Sequence, residues 1–214
     1  VSKERLAYEF LDQKENSAVI ALLWEKRMFP FKVEVDLNKT MIESFRRELT
    51  SFTGFRSDAW RQAAQYCADR KVNLDEALQW ADYSINAVFV GEKSFQNMQV
   101  KASVLNAMGR NTEADAIMKD ALAVGNEVDI HQYARQLLQS GRKEKAIETF
   151  TFNAAKHPNT FTTNMGMVRA MSAKGDYKNA LKLLKKAQPQ APDQMNKDNI
   201  VRMIKLLEEG KDVN

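Results

Sequence analysis

Few side chains in this sequence carry chemistry of their own. The one thiol, Cys67, shares an apolar helical stripe with Ala63 and Ala64. A reactive thiolate needs a neighbouring base and partial exposure, so Cys67 reads as buried filler. One cysteine also excludes an internal disulfide framework and a cysteine-based zinc cluster. Of the two histidines, His157 precedes Pro158 and reads as part of a turn. His131 stands in a helical pattern and reads as a surface histidine. Carboxylates are plentiful but scattered, as in Asp75-Glu76 and Glu208-Glu209. Glycoside hydrolysis needs two of them held across one bond, and spacing along this chain sets up no such pair. Lys178, Lys182, Lys185 and Lys186 form a basic stripe that could meet phosphate. No aromatic interleaves with it, so a solvated face is expected. No residue is assigned a catalytic, cofactor-binding or metal-binding role, and no cofactor is expected.

Composition narrows the classes further. The 214 residues include 32 basic and 28 acidic side chains, for a net charge of +4. That excess is too small and too mixed to argue for nucleic acid. A content of 44% hydrophobic and 28% charged residues is that of an ordinary folded chain. The longest apolar run, Ala18–Trp24, is far too short for a transmembrane segment. The first residue is Val1, and no signal peptide precedes it, so a mature or trimmed piece of a longer protein is expected.

The elements that would position any site follow from a repeat. At a period of about 34 residues, Gly141 falls over Gly175, Ala146 over Ala180, Phe150 over Leu184, and Pro158 over Pro192. A further row begins at Phe95, with Gly109, Ala114, Met118 and Ala121 in matching places. Within a row, Ile130, Tyr133, Ala134, Leu137 and Leu138 mark one helix face. Ser140-Gly141-Arg142 then breaks the pattern, which resumes at Ala146, Ile147 and Phe150. Glycine suits such a break because it adopts left-handed geometry at no Cβ cost. Pro158 and Pro192 are expected to stop the second helices. Ala102, Ala134, Ala114, Ala146 and Ala180 are expected where paired helices cross closely.

This order of small, small, bulky, small and proline resembles the tetratricopeptide (TPR) repeat. Departures stand at Met98, Ile130 and Asn164, where an aromatic is favoured, at Val168 with Gly166 before it, and at Asn153. In TPR arrays the first helices line a concave groove. That resemblance selects Gln96, Gln99, Ser103, Asn106, His131, Arg135, Met165 and Arg169, with Arg61 and Gln65 from an irregular first unit. The familiar Lys and Asn carboxylate clamp does not appear. The expected function is a non-enzymatic scaffold binding a protein or peptide, with an acidic or C-terminal peptide segment drawn to Arg135 and Arg169 and hydrogen-bonded by Gln99, Ser103 and His131.

Ahead of the repeats, apolar residues alternate with period two around Leu6–Phe10 and Phe29–Val35, flanking the run Ala18–Trp24. Three strands are expected there, with Pro30 at an edge or a strand start. They are read either as the end of a truncated β-domain or as strands packed on the first helices. Thr40 with Glu43, and Asn73 with Glu76, are candidate capping boxes, and Ser57 or Asp58 a candidate cap. Asn38-Lys39-Thr40 also fits a glycosylation sequon, though capping is the preferred reading. The expected organisation is a β segment over 1–37, a connecting helix and linker over 38–56, TPR-like repeats over 57–194, and a capping helix with a frayed tail over 195–214. The fold class is mainly α, a helix-turn-helix solenoid with a short N-terminal β region (α+β overall).

Several stretches carry a closer resemblance. They are Leu23-Trp24-Glu25 with Pro30-Phe31, Trp80–Ile85, Gly91–Gln96, His131-Gln132-Tyr133, Asn153-Ala154-Ala155, His157–Phe161 and Glu208–Asn214. Together they resemble an uncharacterised family of Bacteroidota, the domain of unknown function 2911. The resemblance implies a periplasmic or secreted protein with upstream strands missing from this chain, and it implies no activity. It leaves an alternative function, an enzyme or carbohydrate-binding protein whose site lies in the β region.

Overall fold

The structure, a computed structural model, describes residues 3–214. Among these the chain is mainly α, with ten α-helices and one three-stranded antiparallel sheet. It divides into two compact units. Among the described residues, one holds 3–93 and 97–117, and the other 94–96 and 118–214.

In the first unit, β1 (Lys3–Lys14), β2 (Ser17–Glu25) and β3 (Arg27–Glu34) pair in sequence order. Tyr8 stands opposite Leu22 and Leu22 opposite Phe29, while Phe10, Ile20 and Phe31 form the next rung. Opposed residues point to the same side of a sheet, so these six make one apolar face. The helices leave that face open, because Tyr8, Phe10 and Phe31 stay 63%, 62% and 52% exposed. Of the two alternatives, a truncated β-domain or strands packed on the first helices, the second does not hold for this face, while Ala21 of the central strand is fully buried on the other. An ion pair between Glu15 and Arg70 ties the sheet to the helical part. Pro30 sits in an outer strand of the described sheet, opposite Ala21, where its missing N–H breaks no ladder.

Helix starts depart from the expected caps. Helix α1 (Leu37–Leu49) begins under Asp36, whose side chain accepts from the Lys39 amide at 3.0 Å. Thr40 therefore lies inside the helix, not at its cap. Asn38, the sequon residue, accepts from the Tyr66 hydroxyl at 3.0 Å. Helix α2 (Ser57–Arg70) has no side-chain cap, and Asp58 is held instead by Arg56 at 2.8 Å. Before α3 (Leu74–Asn86), Asn73 takes left-handed geometry and donates to the Glu76 carboxylate at 2.7 Å. The same carboxylate receives the Arg46 guanidinium, so the box residues link helices and cap nothing. Helices α2 and α3 pack on each other around Ala63, Ala64, Cys67, Ala77 and Ala81.

Helices α4 (Phe95–Ala107) and α5 (Asn111–Val124) contribute residues to both units. The second unit continues with α6 (Glu127–Gln139), α7 (Lys143–Lys156), α8 (Phe161–Ala173), α9 (Tyr177–Ala187) and α10 (Gln194–Glu208). Each packs on the next where the chain turns back, and α6 also meets α8. That is the stacking of helix-turn-helix pairs. Ala134, Ala146 and Ala180 are fully buried at these crossings. Gly141 and Gly175 stand at φ +75° and +82°, and beside the first the Arg142 amide donates back to the Leu137 carbonyl at 2.8 Å. Helix α9 ends at Ala187, ahead of Pro189, so Pro192 is not its stop.

The segment after α10 is not frayed. Val213 is buried with Met165, Leu184, Ile200 and Met203. Its amide donates to Ser172 Oγ at 3.1 Å, and that hydroxyl donates to Asp212 at 2.7 Å. Four residues without helical periodicity are thus held by one apolar side chain, by the hydroxyl of Ser172 and by hydrogen bonds with Arg169.

Candidate binding cleft

The residues selected for a single groove are shared between the two units. Arg61, Gln65, Gln99, Ser103 and Asn106 belong to the first, and Gln96, His131, Arg135, Met165 and Arg169 to the second. Several are already engaged. Gln65 donates to Asp69 at 2.6 Å, and Ser103 donates to the Gln99 carbonyl of its own helix at 3.0 Å. Gln96 donates to Asp129 at 2.8 Å. Arg61 is half-buried and Asn106 exposed. Met165 is 6% exposed and belongs to the core, so it presents nothing to a groove.

His131 is not a surface histidine. Its ring lies edge-on to Phe150 at 5.4 Å between centroids, and its Nδ1 is buried without a hydrogen-bond partner. A Cβ on Gly166 would approach that nitrogen to 3.3 Å and the Phe150 ring to 2.8 Å. The bare backbone of Gly166 thus lets α8 approach Phe150 and His131 closely. Burial, then the charges of Arg169 and Arg135, push the imidazole down to about 4 against a weaker backbone hydrogen bond with Thr162. It is neutral at neutral pH.

What the fold does bring together is a cleft of about 570 Å³ in the second unit. Arg135 of α6 and Arg169 of α8 line it with Gln139, Lys143, Asp212 and Asn214. Arg135 is exposed and has no hydrogen bond or ion pair among the described residues. Asp129, on the same helix, receives Gln96 instead. Arg169 is half-buried, with hydrogen bonds to the Val213 carbonyl at 3.3 Å and Asn214 Oδ1 at 3.4 Å. Burial, Arg135 and Arg202 bring its guanidinium down to about 10, opposed by Asp212, so it remains charged at neutral pH. Three cations face one lining acid, Asp212. The excess favours an anion, and guanidinium can hold a carboxylate through two bonds.

Other candidates fall away. Cys67 is fully buried, and burial pushes its thiol up to about 11, so it is no nucleophile at neutral pH. His157 has its Nε2 buried and unpartnered. No cluster of three metal-ligating side chains occurs among the described residues. No described helix is long and apolar enough to cross a membrane. Sequence reasoning missed Lys156, whose Nζ donates to the carbonyls of Leu122, Ala123 and Gly125 at 3.0, 2.6 and 2.7 Å. A lysine spaced one repeat beyond a helix end was the available signal. Comparison with models of known families and with curated proteins finds no match for the chain.

Proposed function

We propose that the protein is a non-enzymatic binding scaffold whose second unit takes an acidic peptide segment in the Arg135–Arg169 cleft. One observation carries this reading: Arg135 is exposed and without an acidic partner beside a second, half-buried arginine. Two guanidinium groups on one wall repel each other and gain nothing structurally unless an acid joins them. A carboxylate-bearing segment supplies that acid, and the apolar parts of Leu138 and Ala173 in the same cleft accept its neighbouring side chains. A periplasmic or secreted setting for the scaffold belongs to the same proposal and rests on the sequence resemblance alone.

The test is fluorescence anisotropy with a labelled poly-glutamate peptide at low ionic strength. Arg135→Glu is expected to weaken binding at least tenfold, on the order of one guanidinium–carboxylate pair (about 1.5–3 kcal/mol), with the helical circular-dichroism signal unchanged. Equal affinity of the folded variant and the parent would end this reading.

The alternative, a carbohydrate site in the β region, is favoured by one observation, the exposed rings of Tyr8, Phe10, Phe29 and Phe31. Sugars stack on such rings. Retention of the parent chain, but not of a Phe29→Ala, Phe31→Ala variant, on an oligosaccharide column would support it.

A further inference from the structure

We infer that the Asp212–Asn214 segment acts as a tethered cover on Arg169 at one wall of the cleft of the second unit, and that an acidic peptide must displace it to bridge Arg135 and Arg169. This rests on the proposed acidic-peptide reading of the same cleft.

The segment makes the contacts that a bound peptide would make. Its backbone carbonyl at Val213 and its side chain at Asn214 both receive Arg169 Nη1, at 3.3 and 3.4 Å. In return Asn214 Nδ2 donates to the Arg169 carbonyl at 3.1 Å, at an exposed site. Asp212 supplies the carboxylate, which accepts from Ser172 Oγ at 2.7 Å and from Asn214 Nδ2 at 2.7 Å. Val213 fills the apolar position and is buried against the core of α8, α9 and α10. Asp212 and Asn214 thus line the α8 side of the cleft, and Val213 anchors them from the core behind it. Arg135, on α6, is left without a partner of its own.

That asymmetry matters. The occupant satisfies Arg169 through a carbonyl and an amide oxygen, and Asp212 spends its hydrogen bonds on Ser172 and Asn214, not on either arginine. An incoming carboxylate that bridges Arg135 and Arg169 makes charge-assisted bonds that the tethered segment does not make. The segment therefore keeps Arg169 hydrogen-bonded in the empty protein while remaining replaceable. Apparent affinity for the outside peptide is the intrinsic affinity reduced by the fraction of molecules with the segment released.

The experiment compares poly-glutamate binding to the parent chain, to Ser172→Ala and to a variant ending at Gly210. Ser172→Ala removes the hydroxyl that holds both the Asp212 carboxylate and the Val213 amide, and leaves the arginines in place. Both variants are expected to bind more tightly. A gain of about tenfold corresponds to a segment seated in about nine of ten parent molecules. Because the shortened variant also loses Val213 from the core, its helical signal is checked first, and Ser172→Ala decides the matter if it does not fold. A second measurement follows the Val213 amide by hydrogen exchange. It is expected to be protected in the free parent and to lose protection when peptide is added. Unchanged affinity in Ser172→Ala, or a Val213 amide still protected in the peptide complex, would overturn displacement while the acidic-peptide reading stood. Failure of every form to bind poly-glutamate would remove both.

Discussion

His131 shows how a residue chosen for its chemistry can serve the fold instead. The repeat register puts it on the first helix of its unit, among the residues of the concave face, where it reads as a surface histidine. The fold turns it toward Phe150 and the bare backbone of Gly166, where no partner meets its buried Nδ1. With the ordinary value near 6.5 lowered to about 4, the unfolded chain binds the extra proton between those two pH values. Stability from the neutral ring is therefore complete above about pH 6.5 and is lost as pH falls toward 4, up to about 3 kcal/mol. Urea unfolding at pH 7 and pH 4 measures it. His131→Gln is expected to lose less stability across that interval than the parent, by about 1–3 kcal/mol. An equal loss in both would mean that the ring is not held neutral by burial. The sequence could not show this, because Gly166 and Phe150 come from other helices. Met165 failed as a groove residue for the same nonlocal reason: its place in the repeat looks toward α9 and α10.

At the scale of elements, what was periodic was legible and what depended on a single partner was not. Helices α6 to α9 follow from apolar spacing, left-handed glycines at Gly141 and Gly175, and fully buried alanines. The caps were misplaced by a few residues because several polar side chains near each start compete for the same free amides. Asp36 won over Thr40, and Glu76 was drawn away to Arg46. The Asp212–Asn214 segment has no period at all, so its seat on Ser172 had no local signal. The legible part makes a sharp prediction. Ala146→Leu and Ala180→Leu each add bulk where no space exists and are expected to destabilise by about 1–3 kcal/mol. Lys182→Leu, on an exposed place of α9, is expected to change stability by less than about 0.5 kcal/mol. Equal midpoints for all three in chemical denaturation would mean that the helix register is wrong.

At the scale of the whole molecule, the chain combines well-buried helical units with a sheet that buries little. A helix pair hides its apolar stripe against the next pair, as Phe150, Leu137 and Leu184 do at 1% exposure or less. The sheet has the same need and no such neighbour on the face built from Tyr8, Phe10, Phe29 and Phe31, each at least half exposed. Apolar area left in water forgoes about 25 cal/mol per Å², and clustered rings of this kind exceed the scattered apolar residues normal on a surface. The helical units gain little from this face, so its chemistry can be altered without reaching them. The double substitution Phe29→Glu, Phe31→Glu is expected to leave the helical circular-dichroism signal and melting midpoint close to those of the parent. It is also expected to remove most of the fluorescence of an apolar dye such as anilinonaphthalene sulfonate bound to the folded chain. Lys32→Ala serves as the control, since Lys32 stands opposite Val19 and points to the other side of the sheet. If the double variant kept the parent's dye signal, the exposed rings would not be the main apolar surface of the folded protein. If it lost helical structure, the sheet would be coupled to the helices by more than the Glu15–Arg70 pair.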